Sequence, residues 1–392
     1  MDSPRRFHLA KNAERMKGEA AYAMLAQAQE LERMGKNIVH LEIGEPDFST
    51  PEHISASGAN AIRDGKTKYT ATLGIPELRS AIASYVNQTR GVRVSPEMVA
   101  VTPSAKTAIY LAMTAILEPG DEVIYPNPGF PVYENVIEFL GCVAKPVPLL
   151  EKNDFSFDLD AFKNLLTKKT KLVILNSPSN PTGGVIPLED LKTIARLVKK
   201  TNAWIMSDEI YSRISYGHPR PASLYRLPGM QERTIFVDGF SKTYAMTGWR
   251  LGYFVMPERS MGAIENLLVN SIACTATFVQ IAGVKALNGP QNTVRTMVKE
   301  FEKRRDFVIR ELNTIPGFSC QIPRGAFYAF PNIKKTGMSS EKLARHILYK
   351  AGVALLPGTA FGKYGEGYLR ISYANSMENL KEALTRIKKS LE

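Results

Sequence analysis

The order of apolar and polar positions between about residues 76 and 256 predicts strands that alternate with helices. Short apolar runs such as 172–175 show no alternation, as expected for strands that are covered on both faces. The predicted strands are 121–126, 171–177, 203–208, 234–239 and 251–256. The predicted helices, which show helical periodicity, are 76–88, 104–117, 131–141 and 188–201. This alternation predicts an α/β domain with a mostly parallel sheet that is flanked by helices.

The pattern changes after about residue 285. A long charged helix is predicted at 290–313, and shorter strands and helices follow it, which is typical of a smaller α+β domain. The predicted strands there are 318–322 ("FSCQI"), 326–333, 353–357 and 368–374, and the predicted helices are 340–352 and 377–391. The first 45 residues have little strand pattern and are expected to pack against this part of the chain. We therefore predict a large domain at 46–285 and a small domain formed by 1–45 and 286–392.

Composition narrows the class of protein. The 392 residues are 44% hydrophobic and 22% charged, which is ordinary for a globular protein. The net charge is +12, but lysines and arginines are scattered, and the densest cluster, at 299–307, is interleaved with acidic residues. That pattern indicates a solvated helix face, so we do not expect a nucleic-acid partner.

The sequence also bears on compartment and metal binding. No apolar run approaches the roughly 18 to 20 residues that a membrane span needs, and the N-terminus lacks the apolar stretch of a secretory signal. The three cysteines are far apart and are expected to be reduced, and the five histidines form no zinc-binding pattern. We expect a cytoplasmic protein that has no membrane partner and no metal site.

Polar side chains follow three of the predicted strands. In open α/β sheets, ligands bind beyond the carboxyl ends of the strands. The strand at 171–177 leads into the turn-rich loop "NSPSNPTGG", and the other two end in "SDEIY" and "DGFSK". The side chains placed at these ends are Asn180, Asp208, Tyr211, Ser241 and Lys242.

A further apolar strand near residue 100 runs into the helix at 104–117, and this junction predicts a phosphate site. Ser104, Ala105 and Lys106 occupy the first turn of that helix. The first turn of a helix has free N–H groups and a partial positive charge, and a hydroxyl adds a further hydrogen bond to an anion. Ser241 and Arg250 are candidates to hold the same phosphate.

These residues together indicate a single ligand. It has a phosphate for the helix start and Arg250, and a basic ring nitrogen for Asp208. It has a phenolate-type oxygen for Asn180 and Tyr211. It also has an electrophilic carbon for Lys242. Pyridoxal phosphate has all four features, because its chemistry needs a lysine and a carboxylate that keeps the ring nitrogen protonated.

The sequence resembles the fold-type I, class I/II pyridoxal-phosphate aminotransferases, nearest the aspartate aminotransferase-like branch. The resemblance covers nearly the whole chain. The motifs that carry it are "LEIGEPDF" (41–48), "KYTATLGIPELR" (68–79), "NSPSNPTGG" (176–184), "SDEIY" (207–211), "FSKTYAMTGWRLGY" (240–253) and "YLRISYA" (368–374). The resemblance implies an enzyme that moves an amino group from an L-amino acid to a 2-oxo acid by ping-pong chemistry.

The resemblance implies roles for the residues around the cofactor. Lys242 matches the lysine that bonds the cofactor and then shuttles the proton, and Asp208 matches the partner of the pyridine nitrogen. Asn180 and Tyr211 match the pair that holds the ring oxygen. Phe130 falls where the family stacks an aromatic side chain on the ring.

Further matches concern the substrate and a second subunit. Arg370 matches the arginine that clamps the substrate α-carboxylate, and Gly44 matches a backbone contact to the same carboxylate. Tyr69 matches a tyrosine that reaches the phosphate of the neighbouring subunit, which implies a homodimer with shared active sites. The family's partner-subunit arginine for acidic side chains has no match in this sequence.

The resemblance leaves the amino donor open. Lys106 matches a lysine that faces the side-chain carboxylate of acidic substrates in one subgroup, which would favour aspartate, glutamate or another dicarboxylic donor. The alternatives are an aminotransferase for alanine or aromatic donors, and a carbon–sulfur lyase of the same fold. The residues around the cofactor are shared among these enzymes.

Overall fold

The computed structural model describes residues 9–217 and 221–392. The helices are α1 (Lys11–Arg15), α2 (Ala20–Arg33), α3 (Glu52–Arg63), α4 (Pro76–Arg90), α5 (Ala105–Ile116), α6 (Val132–Phe139), α7 (Leu159–Leu165), α8 (Leu188–Val198), α9 (Met261–Ser271), α10 (Thr277–Asn288), α11 (Asn292–Leu312), α12 (Ser340–His346) and α13 (Met377–Ser390). The strands are β1 (Val39–His40), β2 (Val99–Thr102), β3 (Glu122–Asn127), β4 (Val143–Leu150), β5 (Ser156–Phe157), β6 (Thr170–Asn176), β7 (Trp204–Asp208), β8 (Thr234–Gly239), β9 (Gly252–Val255), β10 (Tyr328–Ala329), β11 (Val353–Ala354), β12 (Leu356–Pro357) and β13 (Leu369–Ser372). Among the described residues, no helix combines the length and the hydropathy that crossing a membrane requires.

The central sheet has eight strands in the order β2-β9-β8-β7-β6-β3-β4-β5. Strands β8, β7, β6, β3 and β4 run parallel to one another, whereas β9 lies antiparallel between β2 and β8 and β5 is antiparallel at the edge. The prediction of an α/β fold with a mostly parallel sheet is therefore confirmed. The carboxyl ends of β2, β6, β7 and β8 lie at the same edge of the sheet, because these strands share one direction.

Helices cover both faces of this sheet, which explains the uninterrupted apolar runs in its strands. Leu172 and Ile174 of β6 pack in one cluster with residues of α5, α6 and α9. Val173 and Leu175 face the other way and pack with residues of α7 and α8. Alternate residues of a strand point to opposite faces, so a strand with a helix layer on each side needs apolar residues at every position.

The N-terminal and C-terminal parts of the chain meet in two smaller sheets. Strand β1 pairs in parallel with β11, and β13 lies between β10 and β12 in an antiparallel sheet. A separate apolar cluster surrounds these strands and includes the buried residues Phe301 of α11 and Leu380 of α13. The domain boundaries given above remain a prediction.

Residues 318–322, which were predicted as a strand, make only an isolated bridge between Ser319 and Asn332. The backbone N–H of Cys320 donates instead to the Asn313 side chain, with 2.8 Å from N to Oδ1. Gly317 has a φ of +82°, a conformation that turns the chain just before this segment. The alternating segment "FSCQI" therefore does not form a strand, because the turn at Gly317 and the Asn313 side chain replace the hydrogen bonds that a strand would make.

Candidate active site

A cavity of about 250 Å³ lies at the carboxyl edge of the central sheet. Its lining includes every predicted site residue except Tyr69. The predicted residues in the lining are Gly44, Ser104, Ala105, Lys106, Phe130, Asn180, Asp208, Tyr211, Ser241, Lys242, Arg250 and Arg370. These residues are far apart in the sequence. The shared direction of β2, β6, β7 and β8 brings together the residues that follow these strands, and Gly44 and Arg370 come from the smaller part of the fold.

Lys242 follows β8 and points its ammonium into the cavity. Its Nζ donates to the carbonyl oxygen of Gly44 at 2.6 Å. Burial lowers the pKa of Lys242 from its ordinary value to about 8; Glu45 opposes this shift, and the cations of Arg370, Arg250 and Lys106 add to it. An amine with a lowered pKa is partly neutral near neutral pH and can act as a nucleophile or as a base.

Asp208 ends β7 and is buried, with 3% of its surface exposed. Its Oδ2 accepts a hydrogen bond from the Tyr133 hydroxyl at 2.6 Å, and its Oδ1 accepts one from the backbone N–H of Ile210 at 3.2 Å. Burial raises the pKa of Asp208 to about 6, although both hydrogen bonds favour the charged form. A cation placed against this carboxylate would restore the charge that burial disfavours.

Tyr211 and Asn180 lie on two neighbouring loops at the same edge. The hydroxyl of Tyr211 is 2.8 Å from the hydroxyl of Tyr328, and both tyrosines are buried. Burial raises the pKa of Tyr211 well above its usual value, so its hydroxyl remains a hydrogen-bond donor. The Asn180 backbone N–H donates to Oδ1 of Asn176 at 3.0 Å, which fixes the start of the turn.

Arg370 on β13 brings a buried guanidinium to the cavity. Its Nη2 donates to the carbonyl oxygen of Glu42, and its Nη1 lies 3.4 Å from Oδ1 of Asn180. Its Nε is buried without a hydrogen-bond partner among the described residues. The guanidinium lies over the ring of Tyr328, at 4.6 Å from the ring centroid. Burial lowers the pKa of Arg370 from its ordinary value.

Position 44 has no room for a side chain, so only glycine fits there. A Cβ atom placed there would lie 2.0 Å from the hydroxyl oxygen of Tyr328. The same residue offers the carbonyl oxygen that holds Lys242. Gly44 therefore lets the backbone pass between the lysine and the tyrosine.

The start of α5 forms a cradle with the segment after β8. Ser104 precedes α5 in a strained conformation, with a φ of 147°, and its Oγ accepts from the Thr107 N–H at 3.1 Å. Gly252 of β9 lets this turn approach closely, because a Cβ there would lie 2.2 Å from the backbone nitrogen of Ala105. Ser241 and Arg250 line the same cavity. The first N–H groups of a helix have no acceptor within the helix, so the cradle suits an anion.

Lys106, in the first turn of α5, lines the same cavity. Its Nζ forms an ion pair with Glu19, the residue that precedes α2. The same Nζ lies 5.7 Å from the centroid of the Phe130 ring. Phe130 in turn packs edge-to-face on Tyr133, with 5.7 Å between the ring centroids.

Tyr69 does not line this cavity. It lies between α3 and α4 with 87% of its surface exposed. The role that the resemblance gives it involves a neighbouring subunit, so its place in this chain alone does not test that role.

Sequence reasoning missed several residues that the fold brings to the site. They are Glu19, Glu45, Tyr133, Asn176 and Tyr328. Tyr133 had a weak signal, because it follows Phe130 by only three residues and packs against that ring. Tyr328 and Glu19 had none, because their contacts depend on elements that are distant in sequence.

The lining fits an anionic cofactor such as pyridoxal phosphate. Within residues 9–217 and 221–392, Lys242, Arg250 and Arg370 form no ion pair with any acidic side chain, although all three line the cavity. A buried cation without an acidic partner, such as Arg370, is costly unless a ligand brings negative charge. A phosphate, a phenolate-type oxygen and a substrate carboxylate would supply that charge, and Asp208 would accept the ring N–H.

Comparisons with known proteins agree with this geometry. Residues 36–387 match the family described as "Aminotransferase class I and II". The chain is 40% identical to an aspartate aminotransferase of Pyrococcus horikoshii over 394 aligned positions, which cover 100% of this chain and 99% of the relative. It resembles the structure of an aspartate aminotransferase from Thermus thermophilus with maleate, with a TM-score of 0.93, 37% identity and coverage of 98% and 100%. It also resembles an alanine aminotransferase from Pyrococcus furiosus, with a TM-score of 0.93, 32% identity and coverage of 98% and 99%.

Proposed function

Because this chain belongs to the class I and II aminotransferase family and is a pyridoxal-phosphate-dependent transaminase, we propose that Lys242 carries the reaction and that dicarboxylic L-amino acids are its preferred donors. The observation that carries this proposal is the Lys242 ammonium. Lys242 lines the same cavity as Asp208 and Arg370, and burial lowers its pKa to about 8. The reaction moves the amino group of an L-amino acid to a 2-oxo acid.

The residues of the cradle would hold the cofactor phosphate, and those at the strand ends would hold its ring. Ser104, Ser241 and Arg250 supply two hydroxyls and a cation, and Ala105 and Lys106 supply backbone N–H groups at the start of α5. At the ring, the Asp208 carboxylate would accept the N–H, and the Asn180 and Tyr211 side chains would bind the ring oxygen. Phe130 would pack on the ring face. When bound, the cofactor draws electrons away from the substrate α-carbon.

Lys242 would move the proton. Its Nζ, partly neutral at physiological pH, would remove the proton from the substrate α-carbon and deliver it to the adjoining carbon of the cofactor. The Gly44 carbonyl, 2.6 Å from Nζ, orients the amine toward the cavity. Removal of this side chain takes away both the nucleophile and the proton carrier.

Arg370 would bind the substrate α-carboxylate. Its Nε is buried and unpaired within the described part of the chain, and the Tyr328 ring below it restricts the plane of the guanidinium. A carboxylate that pairs with two guanidinium N–H groups would satisfy this cation with defined orientation. The backbone at Gly44 would add a contact to the same carboxylate.

The choice of dicarboxylic donors rests on Lys106. Lys106 and Arg370 line the same cavity, so an amino acid with two carboxylates could engage both cations. A relative and a neighbouring structure are named aspartate aminotransferases, and that structure holds maleate, a dicarboxylate. The alanine aminotransferase from Pyrococcus furiosus supports the competing choice of a small neutral donor.

We also propose a cytoplasmic homodimer with shared active sites. The exposed Tyr69 supports the shared site, because its matched role is a contact with the phosphate of a neighbouring subunit. The three cysteines are all free, which suits a reducing compartment.

The test is a panel of amino donors against 2-oxoglutarate, pyruvate and oxaloacetate, with wild type and Lys106→Ala. A charge-assisted contact contributes roughly 1.5 to 3 kcal/mol, so the variant should lose about ten- to a hundredfold in kcat/KM with aspartate and glutamate. Its kcat/KM with alanine should stay nearly unchanged. An equal loss with all donors would contradict the dicarboxylic preference. Ammonia released from an amino acid without any 2-oxo acid would instead indicate a carbon–sulfur lyase.

A further inference from the structure

The side chain of Glu19, the residue that precedes α2, binds a residue outside that helix. Glu19 occupies the N-cap position of α2, where a side-chain oxygen commonly accepts a backbone N–H from the first turn. The Glu19 side chain makes no such bond. Its carboxylate turns away from the helix and pairs with the Lys106 ammonium inside the cavity lining.

The pair is partly sheltered from water. The side chain of Glu19 is 22% exposed and that of Lys106 is 42% exposed. Glu19 also lines a smaller adjoining cavity with Phe130 and Arg370, so its negative charge lies near both cations that a dicarboxylic substrate would need. Within the part of the chain that the structure describes, Glu19 is the one acidic side chain in ion-pair contact with Lys106.

We propose that Glu19 is a specificity-determining residue that acts as an internal competitor for Lys106. This inference rests on the proposed function, in which Lys106 reads the distal carboxylate of the substrate. A substrate with a second carboxylate must then displace Glu19 from Lys106 or lie beside a like charge, and either choice weakens its binding. A substrate without that carboxylate leaves the pair intact. Glu19 therefore narrows the difference in affinity between dicarboxylic and monocarboxylic substrates.

The test measures binding of two unreactive probes to the cofactor-loaded enzyme by titration calorimetry. Succinate and butyrate have the same number of carbon atoms and differ in the second carboxylate. Glu19→Gln keeps the size of the side chain and removes its charge, and it should lower the Kd of succinate about two- to fivefold, the range expected for a partly exposed ion pair. The Kd of butyrate should not change. Glu30→Gln, the same substitution at an exposed site of α2, should change neither Kd.

The double variant Glu19→Gln with Lys106→Ala separates this inference from the proposed function. If Glu19 acts through Lys106, the gain in succinate affinity disappears when Lys106 is absent. If Lys106→Ala alone raises the Kd of succinate but not of butyrate, and Glu19→Gln does not lower the Kd of succinate, Glu19 is not a competitor and the role of Lys106 stands. If Lys106→Ala raises the Kd of succinate and of butyrate equally, Lys106 does not bind the distal carboxylate and the proposed function is wrong on this point. Weaker succinate binding in Glu19→Gln would also overturn the inference, because Glu19 would then support the substrate.

Discussion

At the scale of single residues, the cavity moves an amine and a carboxylic acid toward neutrality. Burial lowers the pKa of Lys242 to about 8 and raises the pKa of Asp208 to about 6. Each group then changes charge near physiological pH. In the cofactor that the family uses, Lys242 would meet the electrophilic carbon and Asp208 would meet the ring nitrogen. Shifts of this kind in a cleft are typical of groups that take part in catalysis.

Removing the Lys242 amine should abolish turnover. We expect Lys242→Ala to lose several powers of ten in the transamination rate, because the nucleophile and the proton carrier vanish together. Borohydride treatment followed by peptide mass spectrometry should attach the cofactor to the Lys242 peptide of the wild type only. Lys192→Ala, on the exposed side of α8, is the matched control and should behave as wild type. A Lys242→Ala enzyme with a near-normal rate would rule out the assignment.

Tyr133 should tune the ionisation of Asp208. Its hydroxyl donates to the carboxylate and favours the charged form, so Tyr133→Phe should raise the pKa of Asp208 further above its ordinary value. Binding of the cofactor by charged Asp208 should then weaken at the acidic end of the pH range. Cofactor Kd values measured as a function of pH should show this loss beginning at a higher pH in the variant.

The control for this prediction is Tyr349→Phe, which removes the hydroxyl of a half-exposed tyrosine. Its pH profile should match that of the wild type. Identical profiles for Tyr133→Phe and wild type would mean that the hydrogen bond to Asp208 does not influence the bound cofactor.

At the scale of elements, a charged contact fastens α2 to the strand that leads to Gly44. His40 of β1 lies between two carboxylates, with 2.7 Å from Nδ1 to Oε1 of Glu42 and 3.1 Å from Nε2 to Oε1 of Glu32 on α2. Glu42 is fully buried, and the backbone carbonyl of this residue accepts from Arg370. The hydrogen bond to Glu42 is the largest cause that raises the pKa of His40 to about 9, with Glu32 adding to it and burial opposing it.

His40 should make the stability of the protein depend on pH in the alkaline range. Its folded pKa of about 9 lies above the unfolded value of 6.5, so its contribution is complete below about pH 6.5 and is lost as pH rises through about 9. His40→Gln should therefore lower the free energy of unfolding at about pH 6 and much less at about pH 10. Urea unfolding of both proteins across this range measures the difference.

Glu32→Gln provides a graded control, because it removes one of the two partners of His40 and leaves the imidazole in place. The pH at which stability is lost should move downward in this variant, since a lost acidic partner lowers the pKa of His40. A difference between wild type and His40→Gln that stays constant across the pH range would contradict the role of His40 as a cation.

At the scale of the whole molecule, the proposed homodimer would share its active sites through Tyr69. Tyr69 is 87% exposed, and Ile62 on α3 and Val269 on α9 are each 50% exposed. Large apolar side chains on a surface are compatible with a subunit contact. In the proposed dimer, Tyr69 of one subunit completes the phosphate site of the other.

Mixing two defective variants tests this arrangement. Tyr69→Phe should bind the cofactor more weakly, and Lys242→Ala should be inactive. In a hybrid dimer, the site on the Tyr69→Phe subunit keeps its own Lys242 and receives an intact tyrosine from the other subunit. At limiting cofactor, the activity of the exchanged mixture should exceed the summed activities of the two parents.

Subunit exchange in that mixture is verified with a tag on one variant and native mass spectrometry. Lys242→Ala mixed with wild type is the control, in which no site gains a missing group. Activity equal to the sum of the parents after verified exchange would mean that Tyr69 serves its own subunit or none.

The sequence by itself determined the α/β class, most of the helices and strands, and the residues at the ends of β6, β7 and β8. Periodicity and turn residues act over short stretches of chain, and the alternation of strands with helices implies parallel strands whose carboxyl ends meet at one edge. The strand predicted at 318–322 failed for a local reason too, since a side-chain acceptor on Asn313 takes the Cys320 N–H.

Only the tertiary structure decided which side chains meet across the cavity. The Tyr133 bond to Asp208, the Tyr328 contact with Tyr211 and the Glu19 pair with Lys106 each join residues at least 75 positions apart. Such contacts depend on how helices and loops pack against the sheet, and no local pattern encodes that packing. The types of the site residues could therefore be predicted from the sequence. Their pKa values and ion pairs depend on neighbours that only the fold brings into contact.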